Sequence, residues 1–174
     1  KKIQPHYKSL IQGLIFGIAT VIAMLNPYVF SDGLVFDGRS IMISIGSFFY
    51  GPLTAVITLI MAIPVRVYQG GSGAITGSLV IITSALIGLY FHLNYIHKDK
   101  VVSDKLVYFI GLIVHVVMLL LMLTLPESMG ITVIQKIGWA VMIFYPLTEL
   151  IIGKVMINQS QFLKTFEKHK EQDN

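Results

Sequence analysis

Only two arginines occur in the chain, and their spacing gives them a common position in the predicted fold. Arg39 lies 12 residues before Gly51, and Arg66 lies 15 residues after it. The dipeptide Gly51-Pro52 is a strong helix breaker, and proline is well tolerated in the first turn of a new helix. Two helices that fold back at this dipeptide have arms of about 18 and 22 Å, at about 1.5 Å per residue. Both guanidinium groups are therefore predicted to lie near the same end of a helical hairpin.

A glycine-rich turn follows the second arginine. Its glycines permit close backbone approach, and the helix that begins near Ala74 presents free N–H groups at its start. A helix N-terminus favours anions, and arginine pairs well with carboxylates and phosphates. We therefore predict a site for a small carboxylate or phosphate, with these candidate ligand-binding residues: Asp37, Arg39, Arg66, Gly70, Gly71, Gly73 and Ala74.

A simpler interpretation of the same residues exists. Arginines near a membrane surface often extend to lipid headgroups. Asp37 or Asp32 can neutralise either guanidinium group, and the glycine-rich turn can be only a tight connection. The residue pattern alone leaves both interpretations open.

Glu149 is the only acidic residue well inside an apolar run. An ionisable group at such a position is costly and usually faces the bundle interior with a partner. His115 and Lys154 are the candidate partners. We expect a polar contact that fastens two helices, with a proton- or voltage-sensitive pair as the functional alternative. Gly51, Pro52, Glu149 and His115 are therefore assigned structural or signalling roles.

Charged residues are too sparse for a soluble domain. Of 174 residues, 55% are hydrophobic and 13% charged, whereas soluble domains carry about 25% charged residues. Four stretches without Asp, Glu, Lys or Arg, at 9–31, 40–65, 67–97 and 106–126, reach the roughly 18–20 residues that a helix needs to cross a bilayer. The chain is predicted to be an integral membrane protein. A globular enzyme, a disordered chain and a β-barrel, whose strands alternate over ~10 residues, are excluded.

Several chemistries are excluded by the sequence itself. It has no cysteine, and it shows no HExxH motif, phosphate-binding loop, catalytic Ser/His/Asp set or paired carboxylates. We therefore expect no enzymatic activity in this chain, no cofactor and no metal. Its lysines lie at the termini and in one loop, without the aromatic interleaving of a nucleic-acid-binding surface, so we expect no nucleic-acid partner.

Helix-breaking residues divide the chain into six predicted helical segments, at about 8–25, 39–50, 52–68, 74–94, 106–125 and 133–157. Residues 26–38 are predicted as a loop with turns at Asp32-Gly33 and Asp37-Gly38. A straight helix over 39–68 would be about 45 Å long, too long for a bilayer core of about 30 Å. The predicted fold is an all-α polytopic transmembrane helical bundle with six segments and five to six spans.

The distribution of basic residues favours six crossings. With six, the N-terminus, the 97–105 loop and the C-terminal tail share one face, which then holds ten of the 13 basic residues; five crossings would split them 8 to 5. An excess of Lys and Arg marks the cytoplasmic face, so both termini are predicted to be cytoplasmic. Residues 1–157 are predicted to form the transmembrane domain. Residues 158–174 are predicted to form a cytoplasmic helical extension, leading to an output domain of a longer protein.

An ordered series of motifs carries a resemblance to a known family. The motifs are FDGRSI at 36–41, FFYGP at 48–52 and RVYQGGSG at 66–73, followed by Gly77. In this order they closely resemble the LytS/YhcK-type 5TM receptor domain (5TMR-LYT). The resemblance covers about residues 26–88, whereas the last two helices match only in hydropathy.

The resemblance implies a membrane sensor domain of bacterial histidine kinases or GGDEF-type diguanylate cyclases. It also implies packing similar to the vitamin-binding S components of ECF transporters, which are six-helix bundles with a ligand pocket toward the outside. Kinase members of the family are connected with pyruvate sensing, which makes Arg39 and Arg66 the carboxylate partners by motif position. The six predicted segments fit the S-component relationship better than they fit the "5TM" label.

The predicted function is that of a sensory domain in a bacterial plasma membrane. It would bind a small anionic metabolite, such as pyruvate, near the outer face and transmit the signal through its last helix, as a homodimer in the lipid bilayer. One alternative is the substrate-binding module of a vitamin uptake transporter. Another is a membrane anchor and dimeriser that responds to bilayer state or voltage, in which Glu149 is required and the two arginines are not.

Overall fold

The structure is a computed structural model that describes residues 5–31 and 34–172. The predicted turn at Asp32-Gly33 lies outside the described residues, as do positions 1–4 and 173–174. Six α-helices are described: α1 (Pro5–Leu25), α2 (Arg39–Tyr50), α3 (Pro52–Gln69), α4 (Ala74–Phe91), α5 (Asp104–Met122) and α6 (Met129–Gln172). A π-helical turn (His92–Ile96) prolongs α4. The predicted all-α bundle of six helical segments is confirmed.

The connection between α1 and α2 contains a β-hairpin. Strands β1 (Tyr28–Ser31) and β2 (Leu34–Phe36) pair antiparallel, with Tyr28 opposite Phe36. The prediction of a plain loop over 26–38 was therefore incomplete. Strands of four and three residues are too short to produce a readable two-residue period. The pairing satisfies backbone groups that would be costly to leave unbonded in an apolar environment.

Gly51 produces the sharp break between α2 and α3. Its φ of +82° and ψ of −159° lie in a region that is essentially restricted to glycine. Its N–H donates to the Ser47 carbonyl at 3.0 Å, which closes α2, and Pro52 occupies the first turn of α3. The two helices therefore meet at the Gly-Pro dipeptide where the sequence predicted a break.

Helices α1 and α3 run in the same direction. The hydroxyl of Thr54, near the start of α3, donates to the carbonyl of Ser9 at 3.1 Å, near the start of α1. Gln69, the last residue of α3, donates its side-chain N–H to the carbonyl of Met24 at 2.7 Å. The chain must therefore return between these helices, and it does so through the β-hairpin and α2.

Helices α4 to α6 continue this alternation. The hydroxyl of Thr76, at the start of α4, is 2.8 Å from that of Thr124, just after α5. Lys154 in α6 pairs with Asp104 at the start of α5, at 3.3 Å. The hydroxyl of Tyr50 contacts Met156 in α6 at 3.6 Å. The bundle therefore has a hairpin end, which holds β1 and β2, and a Gly51 end, which holds the start of α1 and the Lys154 part of α6.

In the described part of the chain, five helical stretches are long and apolar enough to cross a membrane: α1, α3, α4 with its π-helical turn, α5, and the 35 residues of α6 from Met129 to Leu163. Helix α2 has only 12 residues, about 18 Å. The β-hairpin therefore completes the chain's return from the end of α1 to the start of α3. The N-terminus of α2 lies below the surface of the bundle at the hairpin end. This geometry places the start of α2, with Arg39, inside the bundle.

Helix α6 is much longer than a bilayer core. Its 44 residues span about 66 Å, against a core of about 30 Å. It continues without a break from the bundle into the segment predicted as an extension. The bundle-embedded half and the extension therefore belong to one helix, which contains Pro146.

Candidate functional site

A small cavity lies inside the bundle near the hairpin end. Its volume is about 20 Å³. The walls come from β2, the first turn of α2, the end of α3, the first half of α4 and the last half of α5, with these lining residues: Val35, Phe36, Asp37, Arg39, Ser40, Arg66, Gly73, Thr76, Gly77, Val80, Met118 and Met122. Both arginines of the chain therefore face one cavity, although they are 27 positions apart in the sequence.

Arg39 is held at the start of α2 by three contacts. Its backbone N–H donates to Asp37 Oδ1 at 2.9 Å, and its Nε lies 3.4 Å from the same oxygen. Its Nη2 donates to the Val35 carbonyl at 3.2 Å, which ties the guanidinium group to β2. Among the described residues its Nη1 has no hydrogen-bond partner, although the side chain is buried. That N–H group is available to a ligand oxygen.

Arg66 lies in the last turn of α3 and is almost completely buried, with 1% of its surface exposed. Its Nη1 donates to the carbonyl of Gly70 at 3.3 Å. Gly77 in α4 leaves room for this side chain, since a Cβ there would collide with the Arg66 Nε. The close approach of α3 and α4 at this glycine keeps the guanidinium group against the cavity.

Asp37 supplies the negative charge of the cavity wall. Burial raises the pKa of its carboxyl group above the ordinary value of 3.8, against the lowering effect of the neighbouring Arg39. Its Oδ2 has no hydrogen-bond partner in the described part of the chain. When Asp37 is ionised, the two guanidinium groups and this carboxylate together carry a net charge of +1, which favours an anion.

The glycine-rich turn contributes less than its sequence suggested. Gly73 lines the cavity, but Gly70, Gly71 and Ala74 do not. Gly70 and Gly71 adopt φ values of +63° and +78° that form the turn. The Ala74 N–H donates to the Gly71 carbonyl at 3.1 Å, so it is not a free donor for an anion. The role of the turn is to present the Gly70 carbonyl to Arg66.

Several lining residues were missed by the sequence reasoning. Thr76 supplies a hydroxyl at the start of α4, where Gly77 and Val80 offer none, and Met118 and Met122 of α5 form an apolar wall. Nothing in the sequence distinguished these methionines from ordinary packing residues. The signal for Thr76 was its position on the first turn of the helix that follows the glycines.

A second buried polar cluster lies next to the cavity. The Ser44 hydroxyl donates to Glu149 Oε1 at 2.7 Å, and Glu149 Oε2 is 3.9 Å from His115 Nδ1. Ser40, which lines the cavity, is hydrogen-bonded to His115 Nε2 at 3.1 Å. Of the two candidate partners of Glu149, the structure brings His115 close and places Lys154 at Asp104 instead. The cluster joins α2, α5 and α6.

The described residues contain no group of three or more His, Asp or Glu side chains that could hold a metal ion. Ser40 is hydrogen-bonded to His115 Nε2, and His115 Nδ1 lies 2.7 Å from the Gly111 carbonyl and 3.9 Å from Glu149. The two arginines offer charge and N–H donors to an anion, and Val80, Met118 and Met122 form an apolar part of the cavity wall.

Comparison with known proteins gives one family match. A family model described as "5TMR of 5TMR-LYT" matches residues 1–159. No curated protein and no solved structure matches the chain. The family is a membrane sensor domain of signalling proteins and not a catalytic domain. With nearly the whole transmembrane region covered by the match, the chain belongs to the 5TMR-LYT family.

Proposed function

We propose that the chain is the sensory domain of a bacterial signalling protein and that its cavity binds a small monocarboxylate. The observation that carries this proposal is the pair of buried arginines, Arg39 and Arg66, which are 6% and 1% exposed and share one cavity with a single carboxylate. Buried charge in a membrane protein is costly and usually serves a ligand, an ion path or a partner. A monocarboxylate neutralises the remaining charge of +1.

The cavity walls favour a ligand with one charged end and a short apolar end. The charged end would lie against Arg39 and Arg66, and the remainder against Val80, Met118 and Met122. A dicarboxylate or a phosphate would bring a second charge toward these apolar side chains, which is unfavourable. Pyruvate belongs to the favoured class.

The small size of the cavity supports a change of shape on binding. The cavity of about 20 Å³ is bounded by β2 and by helices α2, α3, α4 and α5. We expect a bound carboxylate to change the packing of these elements. A ligand shifts the equilibrium between two packings by its difference in affinity for them.

We orient the hairpin end toward the outside and the Gly51 end toward the cytoplasm. Lys98, Lys100, Lys105 and Lys154 cluster at the Gly51 end, and an excess of basic residues marks the cytoplasmic face. The long helix α6 would then carry the change to an output domain, either a histidine kinase or a diguanylate cyclase, within a homodimer.

The proposal is tested by calorimetry on the purified chain in detergent, with sodium acetate and sodium pyruvate as probes. Each arginine that donates charge-assisted hydrogen bonds to the anion contributes about 10-fold or more to affinity. Arg39→Ala and Arg66→Ala should therefore each weaken binding by at least about 10-fold, and the double variant should show none. Methyl pyruvate, which lacks the charge, should not bind.

Lys105→Ala is the matched control, because it removes an exposed cation at the other end of the bundle. It should bind both probes like the wild type. Equal binding by the wild type and the arginine double variant would overturn the proposal.

A further inference from the structure

The hydroxyl group of Ser40 lies between the cavity and the buried cluster around Glu149. Ser40 lines the cavity, and its Oγ is 3.1 Å from His115 Nε2. Both side chains are buried, with 1% and 0% of their surface exposed. Ser40 is therefore in contact with both the candidate ligand site and helix α5.

The hydrogen on the Ser40 hydroxyl is directed toward His115. The His115 Nδ1 lies 2.7 Å from the Gly111 carbonyl, which can only accept, so Nδ1 carries the ring hydrogen. In the neutral ring Nε2 then has a lone pair and no hydrogen. Ser40 must be the donor in the bond between them.

A serine hydroxyl has one hydrogen to donate. A carboxylate that enters the cavity offers a charged acceptor next to Ser40, and bonds to charged groups are stronger than bonds to neutral ones. The hydroxyl can bond the anion or His115, but not both. Ligand binding would therefore leave His115 Nε2 buried without a donor, which is unfavourable for a polar atom in this environment.

His115 contacts helix α6 at two points. Its ring packs edge-on against the ring of Tyr145, with centroids 4.9 Å apart, and its Nδ1 is 3.9 Å from Glu149 Oε2. Glu149 is in turn bonded to Ser44, one helical turn after Ser40 in α2. A shift of the His115 ring thus changes how α6 packs on α2 and α5.

We propose that the Ser40–His115 hydrogen bond is the coupling element between the cavity and α6. In the empty state Ser40 bonds His115; in the bound state Ser40 bonds the anion, and the released His115 repositions α6 through Tyr145 and Glu149. His115 is here a positioning residue that does not touch the ligand. This inference rests on the proposed carboxylate site.

A double-mutant cycle on affinity tests the competition directly. His115→Leu removes the competing acceptor, so acetate and pyruvate should bind about fivefold more tightly than to the wild type. In the wild type the anion gains a bond that His115 loses, so Ser40→Ala should change affinity by less than about threefold. In the His115→Leu background, where nothing offsets the lost bond, Ser40→Ala should weaken binding by about fivefold.

The coupling itself is read from the position of α6. The chain has no cysteine, so spin labels can be placed at Tyr7→Cys in α1 and Gln161→Cys in α6, both exposed positions. Dilution with unlabelled chain isolates the distance within one molecule. Saturating pyruvate should shift this distance by on the order of 2 Å in the wild type. His115→Leu and Ser40→Ala should abolish the shift.

Two control variants separate coupling from folding. Ser47→Ala removes a buried hydroxyl from the same helix, one without a hydrogen-bond partner among the described residues, and should behave like the wild type. His115→Gln keeps an acceptor for Ser40 but lacks the ring that packs on Tyr145. It should therefore keep the small effect of Ser40→Ala on affinity and lose most of the label shift. Helicity and thermal unfolding of each variant show whether it is folded.

The outcomes distinguish this inference from the proposed function. If the wild type binds neither probe, the carboxylate site itself is wrong. A second outcome begins with a wild type that binds and shows the label shift. If the Ser40→Ala chain then shows the same label shift, and Ser40→Ala changes affinity equally with His115 and with Leu at position 115, the carboxylate site stands and the coupling element is overturned. Should His115→Leu fail to fold, the label shift in the Ser40→Ala chain alone tests the coupling element: its loss supports the proposal, and a wild-type shift overturns it.

Discussion

Asp37 controls the charge that the cavity offers to an anion. Its carboxyl group shares the wall with Arg39 and Arg66, and burial raises its pKa above the ordinary value. Protonation of this group changes the net charge of the three side chains from +1 to +2. An anion and a proton are therefore expected to bind cooperatively.

Carboxylate affinity should accordingly rise as the pH is lowered toward the pKa of the Asp37 carboxyl group, which burial holds above 3.8. The measurement is calorimetry in two buffers with different heats of ionisation, which should report net proton uptake on binding. Asp37→Asn, neutral at every pH, should bind tightly and without pH dependence. Asp104→Asn, an exposed carboxylate at the Gly51 end, should keep the wild-type profile.

The raised pKa of Asp37 also sets how the stability of the fold changes with pH. A carboxyl group whose pKa is higher in the folded chain stabilises the fold most at low pH, and this contribution is lost as the pH rises through the folded pKa, above 3.8. The Asp37→Asn chain should therefore lose less stability than the wild type over that rise. An identical change in both chains would contradict the assignment of Asp37.

The residues of the site were only partly predictable from the sequence. Asp37, Arg39 and Arg66 could be identified because charged residues are rare in this apolar sequence. The spacing of the two arginines about Gly51 predicted that they lie near one another. Thr76, Met118 and Met122 could not be found in this way, because threonine and methionine are ordinary in membrane helices. Their role depends on how α4 and α5 pack, which spacing within one helix does not determine.

At the scale of helices, close packing of α3 on α4 positions Arg66. Gly77 faces the Arg66 Nε, and a methyl group there would force the side chain to move. Since the obstacle is a flexible side chain, the helices can stay together while the guanidinium group shifts. The packing of these two helices therefore affects binding more than folding.

Gly77→Ala should weaken carboxylate binding by about 10-fold, as expected when one charge-assisted contact is lost. Its thermal unfolding should change little. Gly138→Ala is the control, since a Cβ there makes only ordinary contacts in α6. Unchanged affinity in Gly77→Ala, measured by the same calorimetry, would show that Arg66 does not bind the anion.

Helix boundaries were predicted well where residues with strong backbone preferences stand at them. The Gly51-Pro52 break and the starts of α2, α3 and α4 agree with the structure, because proline fixes φ and glycine permits the conformations that end a helix. The β-hairpin was missed, because its pairing depends on tertiary contacts. The helix predicted to continue as an extension after residue 157 does continue α6, as far as Gln172.

For the whole molecule, the parallel pairing of α1 and α3 requires the chain to return between them, and the β-hairpin with α2 forms this return. Among the described residues, five helices are long and apolar enough to cross a membrane, and α2 is not one of them. This arrangement leaves the N-terminus of α2 inside the bundle, where a buried site can form. A full-length helix at this position would carry Arg39 to the surface.

Labelling of single cysteines in intact cells tests the proposed orientation. Ser128→Cys, at the hairpin end before α6, should react with a membrane-impermeant maleimide added outside. Asp99→Cys and Gln161→Cys, at the Gly51 end, should react only after the cells are opened. The reverse pattern would place the cavity on the cytoplasmic side.

The central claim is that a carboxylate lies between the two buried arginines, and the sequence permits a direct test. Because Arg39 and Arg66 are the only arginines, growth on ¹⁵N-guanidinium arginine labels the cavity alone. The chain is reconstituted in lipid with ¹³C-carboxyl pyruvate. Solid-state NMR dipolar recoupling then measures the distance between the guanidinium nitrogens and the carboxyl carbon. We predict carbon–nitrogen distances of about 4 Å, as in an arginine–carboxylate pair. Pyruvate that binds by calorimetry without any such recoupling would contradict the account.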